Sequence, residues 1–198
     1  PVANFLDLAS STPDEASVHV WSAVAGRLSS YLAFLKGDEE RTKKFKQFAR
    51  TKLTPIMNKL GWEKKVGEPD YLANFRSEMI GIMSGLEDPA TLAEAQRRFL
   101  VMDTDPTAAP ASLRFLILAI VARNADEATW NALRERAQKE KSAMVKDSLY
   151  ALLATAKNKD LAKRALDLAL TDEPGVTTSA SMIRTVAGEH TEMAFDFA

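Results

Sequence analysis

Cysteine is absent from the 198-residue sequence. That removes any disulfide framework, any thiolate nucleophile and any cysteine-ligated metal site, and it fits a reducing compartment, so a cytoplasmic location is expected. Histidine is almost as scarce: His19 and His190 stand near opposite ends of the chain. A hydrolytic zinc site on a helix needs two imidazoles four residues apart with a carboxylate nearby, and this pattern is missing. The eight glycines form neither a G-x-G-x-x-G nor a G-x-x-x-x-G-K-[ST] phosphate loop, and no serine sits in a G-x-S-x-G elbow. The chain by itself is therefore read as non-catalytic, with no metal or cofactor of its own. There is no apolar run of the roughly 18 residues that a membrane span requires, and no secretory leader pattern, so no membrane association is expected. The net charge of −1 carries no basic footprint, and no nucleic acid partner is expected.

What is present is helical periodicity. Apolar residues recur with a period of 3.6 in segment after segment. Trp21, Val24, Ala25, Leu28, Leu32 and Leu35 share one face, and Phe45, Phe48, Ala49, Leu53, Ile56, Met57 and Leu60 share the next. Further stripes run through Leu72–Leu86, Leu92–Leu100, Leu113–Val121, Trp130–Ala137, Leu149–Ala156 and Leu161–Ala169, with a weaker helix over about 178–188. Pro55 falls inside the second stripe and should kink or restart that helix. No stretch alternates as a strand does. Helix starts are signalled by Thr12-Pro13, by Asp88-Pro89 and by Asp126.

Three pieces, "IMSGLEDPATLAEAQRRF", "AIVARNADEATWNALRERA" and "LATAKNKDLAKRALDLAL", share one plan. Each ends an apolar helix, turns through Gly or Asn, meets an aspartate and enters a helix carrying arginine. The aspartates are Asp88, Asp126 and Asp160, a spacing of 38 and then 34 residues, which is the period of helix-pair repeats. The expected fold is all-α: an α-solenoid of antiparallel helix pairs, HEAT- or armadillo-like, with about nine or more helices. A globular helical bundle is the alternative. Residues 1–198 read as one domain with a sub-break near 103–111, where Pro106 and Pro110 punctuate the longest connector. The chain starts on Pro1-Val2 and closes on "EMAFDFA"; both ends read as cut, so an excised piece of a longer polypeptide is expected.

With no catalytic group in view, the candidate functional feature is a surface. Arg76, Arg97, Arg98, Arg114, Arg123, Arg164 and Arg184 lie on or beside the apolar stripes. They either pair with carboxylates of adjacent helices or line a groove where a guanidinium meets a peptide carboxylate. Arg76, Arg114 and Arg184 are the candidate peptide or interface contacts. The connector "LGWEKKVGEPDYLANFR" at 60–76 is the most distinctive stretch. It predicts a helix ending at Leu60, Gly61 in the αL conformation after it, Leu60 and Trp62 buried, and Pro69 in the first turn of the next helix. Glu68 should lie near the positive end of that helix and pair with a basic residue of a neighbour.

That connector also resembles the C-terminal helical domain of zinc aminopeptidases of the aminopeptidase N and puromycin-sensitive type, with its Leu-Gly-Trp helix end, Gly-Glu, and following Leu-Arg helix. The likeness continues in order through "SVHVW", "AAPASLRFLILAIVA", "WNALRERAQ", "KDSLYALLATAKNKDLAKRALDLAL" and "VAGEHTEMAFDF". Phe75-Arg76 stands where Leu-Arg is usual, His19 where Tyr is common, and Phe195 where Trp is common. The resemblance implies a non-catalytic domain that caps the active-site cavity of a parent zinc aminopeptidase and limits or contacts its peptide substrate. The zinc and the Gly-Ala-Met-Glu-Asn and His-Glu-x-x-His motifs would belong to an upstream catalytic domain of the same polypeptide. A HEAT-like adaptor that binds a partner protein, with no peptidase link, is the rival reading.

Overall fold

Every one of the nine apolar segments forms a helix in the computed structural model, which describes residues 2–35, 37–105 and 107–197. The order is α1 (Val2–Ser11), α2 (Val18–Tyr31) with a 3-10 turn at Leu32–Leu35, α3 (Glu39–Leu60), α4 (Asp70–Gly85), α5 (Pro89–Val101), α6 (Ala111–Arg123), α7 (Glu127–Lys139), α8 (Ala143–Leu153), α9 (Lys159–Ala169), α10 (Val176–Glu189) and α11 (Thr191–Phe197). The fold is all-α, and no strand occurs among the described residues. The two helices without an apolar stripe in the sequence, α1 and α11, bury only Ala9 and Ala194 respectively. Their remaining apolar side chains stay partly in solvent, so no clean period is required of them.

Caps decide where the helices begin. Ser17, not Thr12, opens α2, its side chain accepting from the Val20 amide. Thr12 instead ends α1 by donating its hydroxyl to the Leu8 carbonyl at 2.8 Å. Asp88 accepts from the Thr91 amide at 2.8 Å at the start of α5, and Asp126 from the Thr129 amide at 2.8 Å at the start of α7. In the third repeat the cap is Asn158, which accepts from the Asp160 and Leu161 amides, while Asp160 sits in the first turn. The repeated cap positions are thus 88, 126 and 158. Pro55 neither ends nor restarts α3, which continues through it for 22 residues. Ala49 and Leu53 before the proline and Ile56, Met57 and Leu60 after it are all buried. Packing on both sides carries the helix past the missing amide, because tertiary burial outweighs local propensity.

The chain divides into two compact units, Pro1–Arg97 with Pro110–Leu116, and Arg98–Ala109 with Ile117–Ala198. Of the prolines in the 103–111 connector, Pro106 lies outside the described residues, whereas the Pro110 carbonyl accepts the Leu113 and Arg114 amides at the start of α6. In the first unit α2, α3 and α4 pack on one another. Their core is Trp21, Val24, Leu28, Leu53, Met57, Phe75, Met79 and Met83. In the second unit α7 packs on α8, α9 on α10 and α10 on α11, with contacts also between α8 and α10. Trp130, Leu133, Tyr150, Leu153, Leu166 and Met182 form its core. Contacts between chain neighbours and next neighbours are the local packing that helix-pair repeats use.

Gly61 closes α3 with φ +68° and ψ −178°. This is not the αL geometry of a usual helix end but a region open essentially to glycine alone. No atom lies within 4 Å of where a Cβ would stand, so the cost of a side chain is purely in the backbone. Gly61→Ala should therefore destabilise by about 1–3 kcal/mol in urea titration. An unchanged midpoint would mean that the connector relaxes around the substitution.

Candidate functional site

The α3–α4 connector is held from below by one guanidinium. Arg76, on the second turn of α4, is 2% exposed. Its Nε donates to the Gly61 carbonyl at 3.1 Å and its Nη2 to the Leu60 carbonyl at 3.4 Å and to Glu68 Oε2 at 2.7 Å. The last two residues of the α3 end and the carboxylate that precedes α4 are therefore gathered on one side chain. The Lys65 amide adds a second bond to Glu68 Oε2 at 3.2 Å. Arg76 donation holds the Glu68 carboxyl below the usual carboxylate range, against the opposing effect of its burial. Outside this core Lys64 pairs with Asp70 at 2.8 Å. Pro69 is the extended cap residue immediately before α4, one position earlier than expected. Leu60 is buried as expected, but Trp62 is only half-buried.

Beside the connector lies a cavity of about 390 Å³. Val18, Ile56, Leu60, Leu72 and Phe75 supply an apolar wall, Trp21 and Glu68 line it as well, and Lys65–Pro69 pass along it. Lys59 and Asp14 also line it.

The three arginines singled out in the sequence do not share one setting. Arg76 is internal and engaged as described. Arg114, on α6, is half-buried, and Arg184, on α10, is exposed. Three other arginines on the stripes pair with carboxylates of the chain: Arg97 with Glu94 at 2.7 Å, Arg123 with Glu189 at 2.8 Å and Arg164 with Glu127 at 3.1 Å. Arg98 is buried and donates to the Ala108 carbonyl at 2.8 Å.

The polar centre of the second unit was not legible in the sequence. Arg134 forms a fork onto Glu173, Nε to Oε1 at 2.9 Å and Nη2 to Oε2 at 2.6 Å. Gln138 and the Tyr150 hydroxyl also donate to Glu173 Oε1, each at 3.1 Å. The Arg134 bonds hold the Glu173 carboxyl below its ordinary value, with burial opposing. Burial first, and then the bond to Glu173, pushes the Tyr150 phenol up to about 12. These groups tie α7 and α8 to the α9–α10 loop. They form a structural clasp rather than an acid–base pair, since each proton is committed within the network. Glu173 stands in an unremarkable "TDEPG" turn, and only the folded pairing reveals its partner.

Among the described residues no three His, Cys, Asp or Glu side chains gather where they could hold a metal ion. No helix among the described residues is long and apolar enough to cross a membrane.

A family model described as the ERAP1-like C-terminal domain matches residues 1–198. Similar curated proteins include glutamyl aminopeptidase of Bos taurus, 28% identical over 165 residues, which is 82% of this chain and 17% of that protein. Aminopeptidase M1-A of Oryza sativa subsp. japonica is 26% identical over 157 residues, 77% of this chain and 18% of that protein. Aminopeptidase 2 of Candida albicans is 28% identical over 133 residues, 66% of this chain and 14% of that protein. The chain thus spans less than a fifth of the length of these relatives.

Proposed function

The chain belongs to the ERAP1-like C-terminal domain family, and from that premise we propose that residues 1–198 are the non-catalytic C-terminal domain of a zinc metallo-aminopeptidase. The parent removes N-terminal amino acids from peptides, with its zinc and its catalytic groups in an upstream domain of the same polypeptide. The helical domain caps the active-site cavity, limits access to it and contacts the distal part of the peptide. The observation that carries this reading is the family match over the whole chain, together with the similarity to the three aminopeptidases named above. A sequence with no His-Glu-x-x-His and no cysteine suits a domain that shapes a cavity rather than one that performs chemistry. Arg114 and Arg184 remain candidates for contacts with peptide or with the catalytic domain. Arg76 acts within its own unit, by fixing the α3–α4 connector.

The test begins with the flanking coding sequence, which should encode His-Glu-x-x-His upstream. The full-length product should release amino acids from both dipeptides and longer peptides. Deleting residues 1–198 should shift the ratio of kcat/KM for long against short substrates by about tenfold or more, since substrate positioning is worth several kcal/mol. An upstream region without a peptidase motif would overturn the reading outright. A deletion that lowers all substrates equally would overturn the capping role alone.

A further inference from the structure

Among the described residues the lysines and arginines outside helices are Lys64, Lys65, Lys141 and Lys157. They are not equally reachable. Lys157 is half-buried, follows the buried Ala156 and ties its amide to the Arg123 carbonyl at 3.0 Å. Lys141 lies in the short connector 140–142, where Glu140 Oε1 accepts the Lys141 and Ser142 amides, each at 2.8 Å. Lys64 and Lys65 stand in the middle of the longer connector 61–69, within a stretch, 63–67, whose every residue is exposed. Val66 is fully exposed at the tip of a turn in which the Lys65 carbonyl accepts the Glu68 amide at 3.1 Å. Gly67 has φ +76°, and glycine with positive φ at the third position is the type II arrangement. The Lys65 amide donates to Glu68 Oε2 at 3.2 Å. These two bonds close the turn, and the bonds of such a loop open far more readily than the helices on either side.

A protease takes its substrate as an extended strand on both sides of the bond it cuts, and an exposed loop tip supplies one. We propose that the Lys65–Val66 peptide bond is a processing site for a serine protease of lysine and arginine specificity, and that the cut chain stays folded as two fragments, 1–65 and 66–198. Water adds across the amide. The Lys65 carbonyl carbon takes the hydroxyl, the Val66 nitrogen takes the hydrogen, and at neutral pH the new carboxyl gives its proton to the new amine. The exposed Lys65 ammonium, bonded to the Lys59 carbonyl at 2.8 Å, is the group that an acidic specificity pocket accepts. Lys64 is the poorer choice, since Asp70 holds its ammonium at 2.8 Å. Arg76 explains why the halves stay together. It holds the Leu60 and Gly61 carbonyls, which fall on one fragment, while Arg76 itself and Glu68 fall on the other. Packing of α4 on α2 and α3 also crosses the break. The site stands on the connector alone and does not depend on the peptidase reading.

Trypsin, added sparingly to the native 198-residue chain, should release fragments 1–65 and 66–198 first, read by mass, about tenfold or more ahead of any other cut, because helical bonds must unfold before they are cleaved. The two fragments should elute together from a sizing column at the position of the uncut 21.8 kDa chain and part only in urea. Val66→Pro suits the second position of a type II turn and blocks trypsin at the bond before it. It should abolish the cut after Lys65 with both lysines still in place. Lys65→Gln should do the same and keeps the test open if the proline disturbs the connector. The full-length product should be cut at the same bond. A first cut at any other lysine or arginine, a Lys65 cut that survives Val66→Pro, protection of the connector in the full-length product, or fragments that separate without urea would overturn the proposal.

Discussion

Arg76→Ala is expected to lower the melting temperature of the chain by about 10 °C or more, far beyond the loss of a surface ion pair. The side chain is 2% exposed and gathers Leu60, Gly61 and Glu68. Truncation leaves two carbonyls of the α3 end and a buried carboxylate without their donor, and the orphaned charge dominates the cost. Lysine should not rescue it, because an ammonium cannot span the fork that the guanidinium makes. The effect also has a pH signature. Glu68 has its folded pKa lowered by Arg76, so its contribution is present above the ordinary carboxylate value of 4.5 and is lost as pH falls through the lower folded value. Without Arg76 that carboxyl loses the largest of the interactions that favour its ionised form and keeps the Lys65 amide. The gap between wild type and variant should be widest near neutral pH and should narrow in acid below about 4.5. Glu68→Gln added to Arg76→Ala should recover part of the loss. A gap that stays constant from neutral to acid pH would assign the cost to packing instead.

How much of this was legible beforehand differs between fold and site. The helices came through because each buries one face against chain neighbours, so burial itself imposes the 3.6 period from Trp21 to Leu28 and from Leu161 to Ala169. Helix α1 escaped because its Leu8 and Val2 remain exposed and leave no stripe. Caps were readable only where a single candidate stood at the boundary, as at Asp88 and Asp126. Thr12 and Ser17 both carry a capping oxygen, and only the path of the loop decides between them. At Pro55 the local sterics favour a kink, and the buried face on either side of it overrides them. The Gly-Trp and Gly-Glu-Pro punctuation of the connector marks a helix end and a helix start. That Arg76 would serve Glu68 rather than a ligand needed the eight-residue return of α4 past the loop. The Arg134–Glu173 clasp joins residues 39 apart, a distance over which no local pattern speaks.

Trp130→Ala should cost about 3–5 kcal/mol, the range for removing a fully buried aromatic. The ring is 1% exposed at the centre of the second unit. Its Nε1 donates to the Leu153 carbonyl at 3.1 Å, at the last residue of α8. The Arg164 guanidinium lies over its face at 4.5 Å while also reaching Glu127 at 3.1 Å and Asn131 at 2.8 Å. One side chain of α7 therefore touches both of the helices that follow it. Three effects contribute unequally. Burial of the ring is the largest, the indole bond adds roughly 1 kcal/mol, and the partly exposed cation over the ring adds about 0.5–1 kcal/mol. Arg164→Ala should accordingly cost only about 1 kcal/mol. Trp130→Phe should fall between, since it keeps most of the apolar body but leaves the Leu153 carbonyl without its donor. Urea titration of the three variants gives the order Trp130→Ala, Trp130→Phe, Arg164→Ala from most to least damaging. If Arg164→Ala matched Trp130→Ala, the repeat would be held at this point by its cation rather than by its core, and the hydrophobic account of the second unit would fail.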